Sequence, residues 1–455
     1  MAAIITQDFK KQIIQSIYND VVDSAQQYFI AIGRSEDWDS SDTVPTPLNS
    51  LRDIRNARLS LQSLKSAEDI SFVVPRVNWS SGTIYKAWDD AQQGYPSTAY
   101  YVLTENNAVY ICLQQGKDAN GNAVASTIQP TGNATTAFIT SDGYTWKFLY
   151  TITALNSTKF LTANYFPVRL VGTTDSSSPA LDVEQKAVQN AAIAGQISSI
   201  ALQSGGTGYT SAPTVTIVGD GTGASATATV SGGSVVKIEM DNESAGLGSG
   251  YTYADVVLSG GGFTSEASAR AIFSVANGFG ADPRDELKSS ALMFNTKPSG
   301  DEGGDFIITN DFRQVVLIKN IKKSNDSDFT GSTSNLLNTL KFSSISTAFT
   351  PDRTIQGVVS GAKGYVDKYD TVNQTIYFHQ TEDTGFLSFS EGETVNETNG
   401  SGSGVLDSAG VDANSLADSA APVNKFSGTV LYIDNRAAIS RSSEQTEDIK
   451  AIIRI

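Results

Sequence analysis

The chain of 455 residues has one cysteine and one histidine. A lone cysteine, Cys112, cannot form an intrachain disulfide, and it is expected as a small buried hydrophobe within a strand. A lone histidine, His379, lies between Phe378 and Gln380 in a strand-like stretch. It argues against a histidine-based triad or a multi-histidine metal site, and a structural or surface role is expected for it. Charged residues make up only 18% and carry a net charge of -16, with no dense run of Lys and Arg. That balance argues against nucleic acid as a partner, because phosphate recognition needs clustered cations. No apolar run approaches the ~18 residues of a spanning helix, so no membrane partner is expected. The start of the chain has no basic segment leading into a long apolar one, so a soluble protein made in the cytoplasm is expected. Recognisable reaction chemistry is equally scarce. Gly219-Asp220-Gly221-Thr222-Gly223 shares glycines with a phosphate loop but lacks the following Lys-Ser/Thr, and it reads as a β-turn. Carboxylates are plentiful, yet no spacing selects a pair for glycoside hydrolysis. No EF-hand spacing appears, which leaves calcium at an Asp/Gly loop as the sole metal alternative. No cofactor, no catalytic residue and no metal site are assigned.

What is present is β-sheet patterning. Asp142-Gly143 launches a stretch in which Tyr144, Trp146, Phe148, Tyr150 and Ile152 alternate with Thr145, Lys147, Leu149 and Thr151. That period of two predicts a half-buried strand whose aromatic face anchors a core. Before it, Phe9, Ile13, Ile17 and Val21 predict an amphipathic helix, and Tyr28 to Ile32 a short strand. Thr46-Pro47 with Leu48, Leu51, Ile54, Ala57, Leu61 and Leu64 predicts a second helix. Its Arg52, Arg55, Arg58 and Lys65 read as a solvated face or as a contact for an acidic partner. Further strands are expected at 71–76, 100–103, 108–113, 305–309, 314–319, 354–359, 364–368, 375–379, 385–389, 428–433 and 449–455.

Two blocks, about 176–275 and 324–424, are rich in Gly, Ser and Thr. The first contains an internal repeat. Gly208-Tyr209-Thr210, Val215-Thr216-Ile217 and Ala224-Ser225-Ala226 recur as Gly250-Tyr251-Thr252, Val256-Val257-Leu258 and Ala267-Ser268-Ala269. Two copies are too few for a solenoid and predict one small all-β module of two similar halves. In the second block, 399–404 reads as a flexible connector or a tight turn.

Four stretches, in order, resemble the gene product eight family of baseplate wedge subunits from T-even-type contractile-tailed phages. They are Gly33-Arg34-Ser35 ahead of Trp38; Pro75-Arg76 ahead of Trp79; Asp142-Gly143-Tyr144 ahead of Trp146; and Asn435-Arg436 with Gln445 to Ile449. The resemblance covers about 1–172, 276–320 and 425–455. It implies a non-enzymatic virion subunit of the tail baseplate that forms a homodimer and contacts other wedge proteins. The expected architecture is mainly β with a few N-terminal helices, an antiparallel β-sandwich core carrying inserted small β modules. Residues 1–175, 276–323 and 425–455 would build the core, and 176–275 and 324–424 would be the insertions. A fibre-associated or receptor-binding protein, with glycan contact by the inserted modules, is the alternative; a polysaccharide-degrading tail enzyme is a third.

Overall fold

The computed structural model describes residues 4–455 except 24, 68, 93–98, 242–245, 301–303, 309, 409–421 and 443–445. Thr309, Gln445 and the end of the second Gly/Ser block therefore lie outside the described residues. The fold is mainly β, with multiple antiparallel sheets and five helices among the described residues. The chain forms two compact units. One comprises Met1–Ser16, Ser71–Met293 and Ile452–Ile455; the other comprises Ile17–Ile70 and Phe294–Ala451. The segment expected as one core is thus shared: 1–16 and 71–175 lie in the first unit, 17–70 in the second. The segment 276–323 is likewise divided after Met293.

In the first unit, Thr145–Thr151 is the inner strand of a sheet ordered Tyr101–Leu103, Ala108–Gln114, Thr145–Thr151, Phe138–Ile139. Its aromatic face packs as expected: Tyr144, Trp146 and Phe148 join Tyr85, Tyr110 and Cys112 in one cluster. The strand is not half-buried, however. Thr145, Lys147 and Leu149 on its other face are buried too. Lys147 is accommodated because its ammonium donates to the Thr135 carbonyl. The 101–103 and 108–114 strands form the expected hairpin, with Asn107 at φ 60° in its turn.

The repeat block begins with helix Ala180–Asn190, where only β-structure was expected. The helix has a thin apolar row: Gln185 and Val188 are its buried side chains, and Gln185 donates to the Arg169 carbonyl. A glutamine in the row hides the periodicity. Beyond it the two copies pair with each other. Thr214–Gly219 lies antiparallel to Ala254–Ser259, with Val215 opposite Leu258, Thr216 opposite Val257 and Ile217 opposite Val256. Thr216 and Val257 are counterparts in the repeat, so a local two-fold axis passes through that pair. Tyr209 and Tyr251 are both buried in the module. The Tyr209 hydroxyl accepts from the Ala267 amide (2.9 Å), and the Tyr251 hydroxyl accepts from the Ala224 amide (3.4 Å). Each copy's tyrosine thus bonds to the other copy's Ala-Ser-Ala segment, and neither half is complete alone. Gly221 is glycine for want of room: a Cβ there would overlap the Tyr251 ring. The module also packs on the aromatic sheet's surroundings. The Trp88 indole donates to the Phe273 carbonyl (2.9 Å), and a Cβ on Gly121 would collide with the Val236 carbonyl.

The second unit holds a five-stranded sheet ordered Thr333–Asn335, Leu61–Ser66, Tyr28–Gly33, Phe312–Lys319, Thr429–Ile439. The second predicted helix is shorter than expected. It runs Leu51–Leu59, capped by Ser50, whose side chain accepts from the Asp53 amide. Leu61 and Leu64 belong to the strand that follows, paired with Gly33 and Ala31. Both are fully buried, so sheet pairing overrides the helical spacing. Arg52 and Arg55 share the Glu382 carboxylate. Arg58 is buried and donates to the carbonyls of Lys425, Ser427 and Gly428. Residues 305–308 are not a strand; the Asp305 carboxylate instead accepts from the Thr333 hydroxyl (2.6 Å) and the Asn335 amide (3.1 Å).

The second Gly/Ser block builds a closed six-stranded barrel. Its order is Asn338–Thr347, Thr375–His379, Lys363–Asp370, Thr354–Gly357, Thr394–Glu397, Ser403–Leu406. Leu340, Ile355, Val366, Ile376, Val395 and Leu406 fill it. Closure removes exposed strand edges, which suits a chain so poor in charge. Residues 385–389 are irregular rather than a strand, although Phe389 still packs into the barrel against Phe378. The Gly-rich 399–404 stretch is a tight turn leading into the last strand. Its glycines admit the Glu397 carboxylate, which accepts from the Gly402 amide (3.1 Å).

Candidate functional site

The residues singled out from sequence gather in two places, one in each unit. In the second unit, Gly33 ends its strand at a bulge where a Cβ would strike the Ser60 carbonyl. Arg34 follows at φ 62°, a left-handed conformation that turns the chain sharply. Its guanidinium lies 4.3 Å from the Trp38 ring centroid and donates to the Asp37 carbonyl (2.7 Å). The Trp38 indole donates to the Arg436 carbonyl (2.8 Å). Asn435 completes the join: its amide oxygen accepts from Gln314 (2.8 Å), and its amide nitrogen donates to the Pro45 carbonyl (2.9 Å). The Arg436 side chain meets Asp434, at 3.3 Å, and is half exposed.

The same turn enters a buried ionic chain that sequence reasoning did not assemble. The Ser35 hydroxyl donates to Asp367 (3.0 Å), and Gln62 donates to the same oxygen (3.2 Å). His379 lies between two carboxylates: Nδ1 is 2.7 Å from Asp367 and Nε2 is 2.9 Å from Glu36. Burial alone would lower the imidazole pKa, but the paired carboxylates prevail and lift it to about 10. Burial would raise Glu36; His379, then Arg34, hold it down at about 2. The imidazole is therefore an imidazolium, and the arrangement is anion–cation–anion. It is not a catalytic relay. A serine nucleophile must reach a ring nitrogen, and here both nitrogens are taken by carboxylates while Ser35 bonds to Asp367. Nearby, Arg313 holds Asp37 (2.6 Å), Asp42 (3.1 Å) and the Ser35 carbonyl (2.5 Å). Glu36 was visible as part of a motif. Asp367 and Arg313 were not: Arg313 and the Ser35 and Gln62 donors of Asp367 lie hundreds of residues from their partners, and His379, only 12 residues from Asp367, meets it through strand pairing.

In the first unit, Arg76 donates to the Thr162 carbonyl (2.9 Å) and to Asn78 (2.8 Å), while the Pro75 carbonyl accepts from the Tyr101 hydroxyl (2.8 Å). The Trp79 indole donates to Ser126 (3.2 Å), and Ser126 donates to Asp142 (3.0 Å). Burial would raise the Asp142 pKa, but the Thr140 hydroxyl (2.5 Å), then the Ile128 and Thr127 amides (3.0 and 2.8 Å) and Ser126, donate to it and hold it low. Gly143 sits at φ 83°, as the turn requires. Tyr144 donates to the Val124 carbonyl (2.7 Å), and its ring stacks on Trp146 at 5.7 Å.

The tyrosines of the two Gly-Tyr-Thr motifs offer no outward platform, although the adjacent Tyr253 is 62% exposed. Gly208 and Gly250 have φ near 79° and 76°, and the tyrosines between the halves face inward. The Thr252 amide and hydroxyl bind Asp220 (2.8 and 2.5 Å), whereas Thr210 bonds to the Gly261 carbonyl (3.2 Å). Among the described residues, no group of His, Cys, Asp and Glu is arranged to hold a metal ion, and no helix is long and apolar enough to cross a membrane. No family model and no curated protein matches this chain.

Proposed function

We propose that this chain is a structural, non-enzymatic subunit of a contractile phage tail, a dimeric joint in the baseplate wedge that contacts other wedge proteins. One observation carries the reading. The motif side chains behind the family resemblance are tied down within the fold: Arg34, Trp38, Arg76, Asp142 and Asn435 bond to main-chain carbonyls and amides, and Trp79 bonds to the Ser126 hydroxyl, which in turn bonds to Asp142. Such residues fix loop geometry; a reaction centre would keep polar groups free to meet a substrate. The titratable cluster around His379 is closed on itself in the same way. A joint that survives tail contraction needs a permanent contact, so the dimer should bury roughly 2,000 Å² or more in total. The Gly-Tyr-Thr pairs were the ground for a glycan-binding fibre protein, and their buried tyrosine rings leave no stacking face for a sugar. Light scattering at micromolar concentration tests the dimer: twice the 48.2 kDa chain mass supports it, and a stable monomer opposes it.

A further inference from the structure

A cleft of about 430 Å³ opens in the first unit beside the repeat module. Its floor follows from strand pairing. Ile197–Ser204 and Ser268–Phe273 place Ser199 opposite Ile272 and Ala201 opposite Arg270, so these four share one sheet face. Ser199, Ala201 and Ile272 line the cleft, with Ile238 from the neighbouring strand. Arg270, on the same face, reaches the opposing wall and holds Asp89 (2.7 Å) and Asp90 (2.5 Å). Lys86, Lys117, Gln114 and Gln115 contribute to the remaining wall and rim.

Charge selects what enters. The carboxylates at the cleft are balanced by cations already in place: Asp89 and Asp90 share Arg270, with the Lys288 ammonium beside them on the Asp89 carbonyl (3.3 Å), and Glu239 pairs with Lys237 at 2.7 Å. Lys86 and Lys117 have no carboxylate partner among the described residues. They leave a positive rim on a chain whose net charge is -16. Cations placed at a concave, low-dielectric site attract anions more strongly than the same cations on open surface. Shape and lining select further. The floor is aliphatic. Trp88 lies in the wall but is 4% exposed, with the Lys288 ammonium 4.6 Å from its ring and Tyr100 and Phe279 at its edges. A sugar would find no ring to stack on, and an aliphatic side chain would meet only the edges of Ile238 and Ile272, themselves 4% and 6% exposed. The Gln114 amide offers a donor and an acceptor together, the combination that a peptide main chain presents.

We propose that this cleft binds an acidic peptide segment of a partner protein, with an aliphatic side chain on the Ile238–Ile272 floor and carboxylates at Lys86 and Lys117. The inference does not rest on the wedge reading. The test is fluorescence anisotropy of the full chain with a labelled hexapeptide of alternating leucine and glutamate. A leucine–lysine hexapeptide and a hexauronate oligosaccharide serve as controls. Saturable binding of the acidic peptide is expected. It should weaken at least tenfold in the Lys86→Glu/Lys117→Glu double variant and fall with added salt, while the variant's thermal unfolding stays unchanged. Absence of binding at millimolar peptide overturns the proposal. So does equal binding of the lysine peptide, or undiminished affinity in the folded double variant. Binding of the uronate alone would also overturn it, reassigning the cleft to an acidic sugar.

Discussion

Replacing His379 with glutamine removes the cation between Asp367 and Glu36 while keeping a polar side chain of similar reach. The His379 and Asp367 side chains are both 0% exposed, and that of Glu36 is 17% exposed. Breaking a buried ion pair from one side costs ~3–5 kcal/mol, because the charge left behind is uncompensated. Asp367 would keep its Ser35 and Gln62 donors, and Glu36 would keep Arg34 at 3.6 Å. The loss should therefore fall near the lower end, ~3 kcal/mol. Its pH dependence is distinctive. The folded imidazole titrates at about 10 against an ordinary 6.5, so its stabilising effect is complete below pH 6.5 and is lost as pH rises through 10. Glu36, held at about 2 against 4.5, contributes above pH 4.5 and loses its effect as pH falls through 2. The lock is thus strongest between pH 4.5 and 6.5. On the alkaline side this one proton can change stability by at most ~1.4 kcal/mol per pH unit. Hydrogen exchange by mass spectrometry on peptides from 363–379, from pH 6 to 9, reads the local opening free energy in this unit. Wild-type protection should fall with pH relative to the glutamine variant, so that the two profiles converge. Parallel profiles, or a difference below ~0.5 kcal/mol at pH 6, would refute the anion–cation–anion assignment.

Other substitutions probe other parts of the structure. Tyr209→Phe removes the acceptor for the buried Ala267 amide and should cost ~1–3 kcal/mol, measured by denaturant unfolding. Tyr251→Phe, at 3.4 Å from its donor, should cost less, and an equal or reversed order would count against the interlock. Glu286 is fully buried and pushed up to about 8 by desolvation, so its ionisation destabilises the fold increasingly from pH 4.5 to 8. Glu286→Gln mimics the protonated acid and should raise the melting temperature at pH 9 while leaving it nearly unchanged at pH 5. Arg34→Ala strips the stacking on Trp38 and should lower stability by ~1–2 kcal/mol and blue- or red-shift Trp38 emission; an unchanged melt and spectrum would sink its structural role.

Period-two stretches transferred well from sequence to structure. Strands at Tyr28–Gly33, Thr145–Thr151 and Thr375–His379 lie where the sequence placed them, as do Thr214–Gly219 and Ala254–Ser259 in the repeat. The repeat predicted one small module of two similar halves, but not that like segments would pair with each other or that each tyrosine would bond to the other copy's Ala-Ser-Ala segment. Helix Ala180–Asn190 was hidden by the polar Gln185 in its buried row, and Leu61–Ser66 was disguised by leucines at helical spacing. Lys147 made an inner strand look half-exposed. The ionic chain was illegible for a different reason. Glu36 and His379 are separated by 343 residues, and one sequence carries no signal of a contact across such a distance. Gly33, Gly121 and Gly221 are glycine because a neighbour occupies the space of a Cβ, a reason that no local pattern in the sequence shows.

The wedge assignment meets its most direct test in a density map of an intact contractile tail that contains this chain. The account expects the chain in the baseplate wedge, as pairs of copies related by a local two-fold and in contact with other wedge subunits. Single isolated copies there, or density at a fibre tip against host glycan, would contradict it.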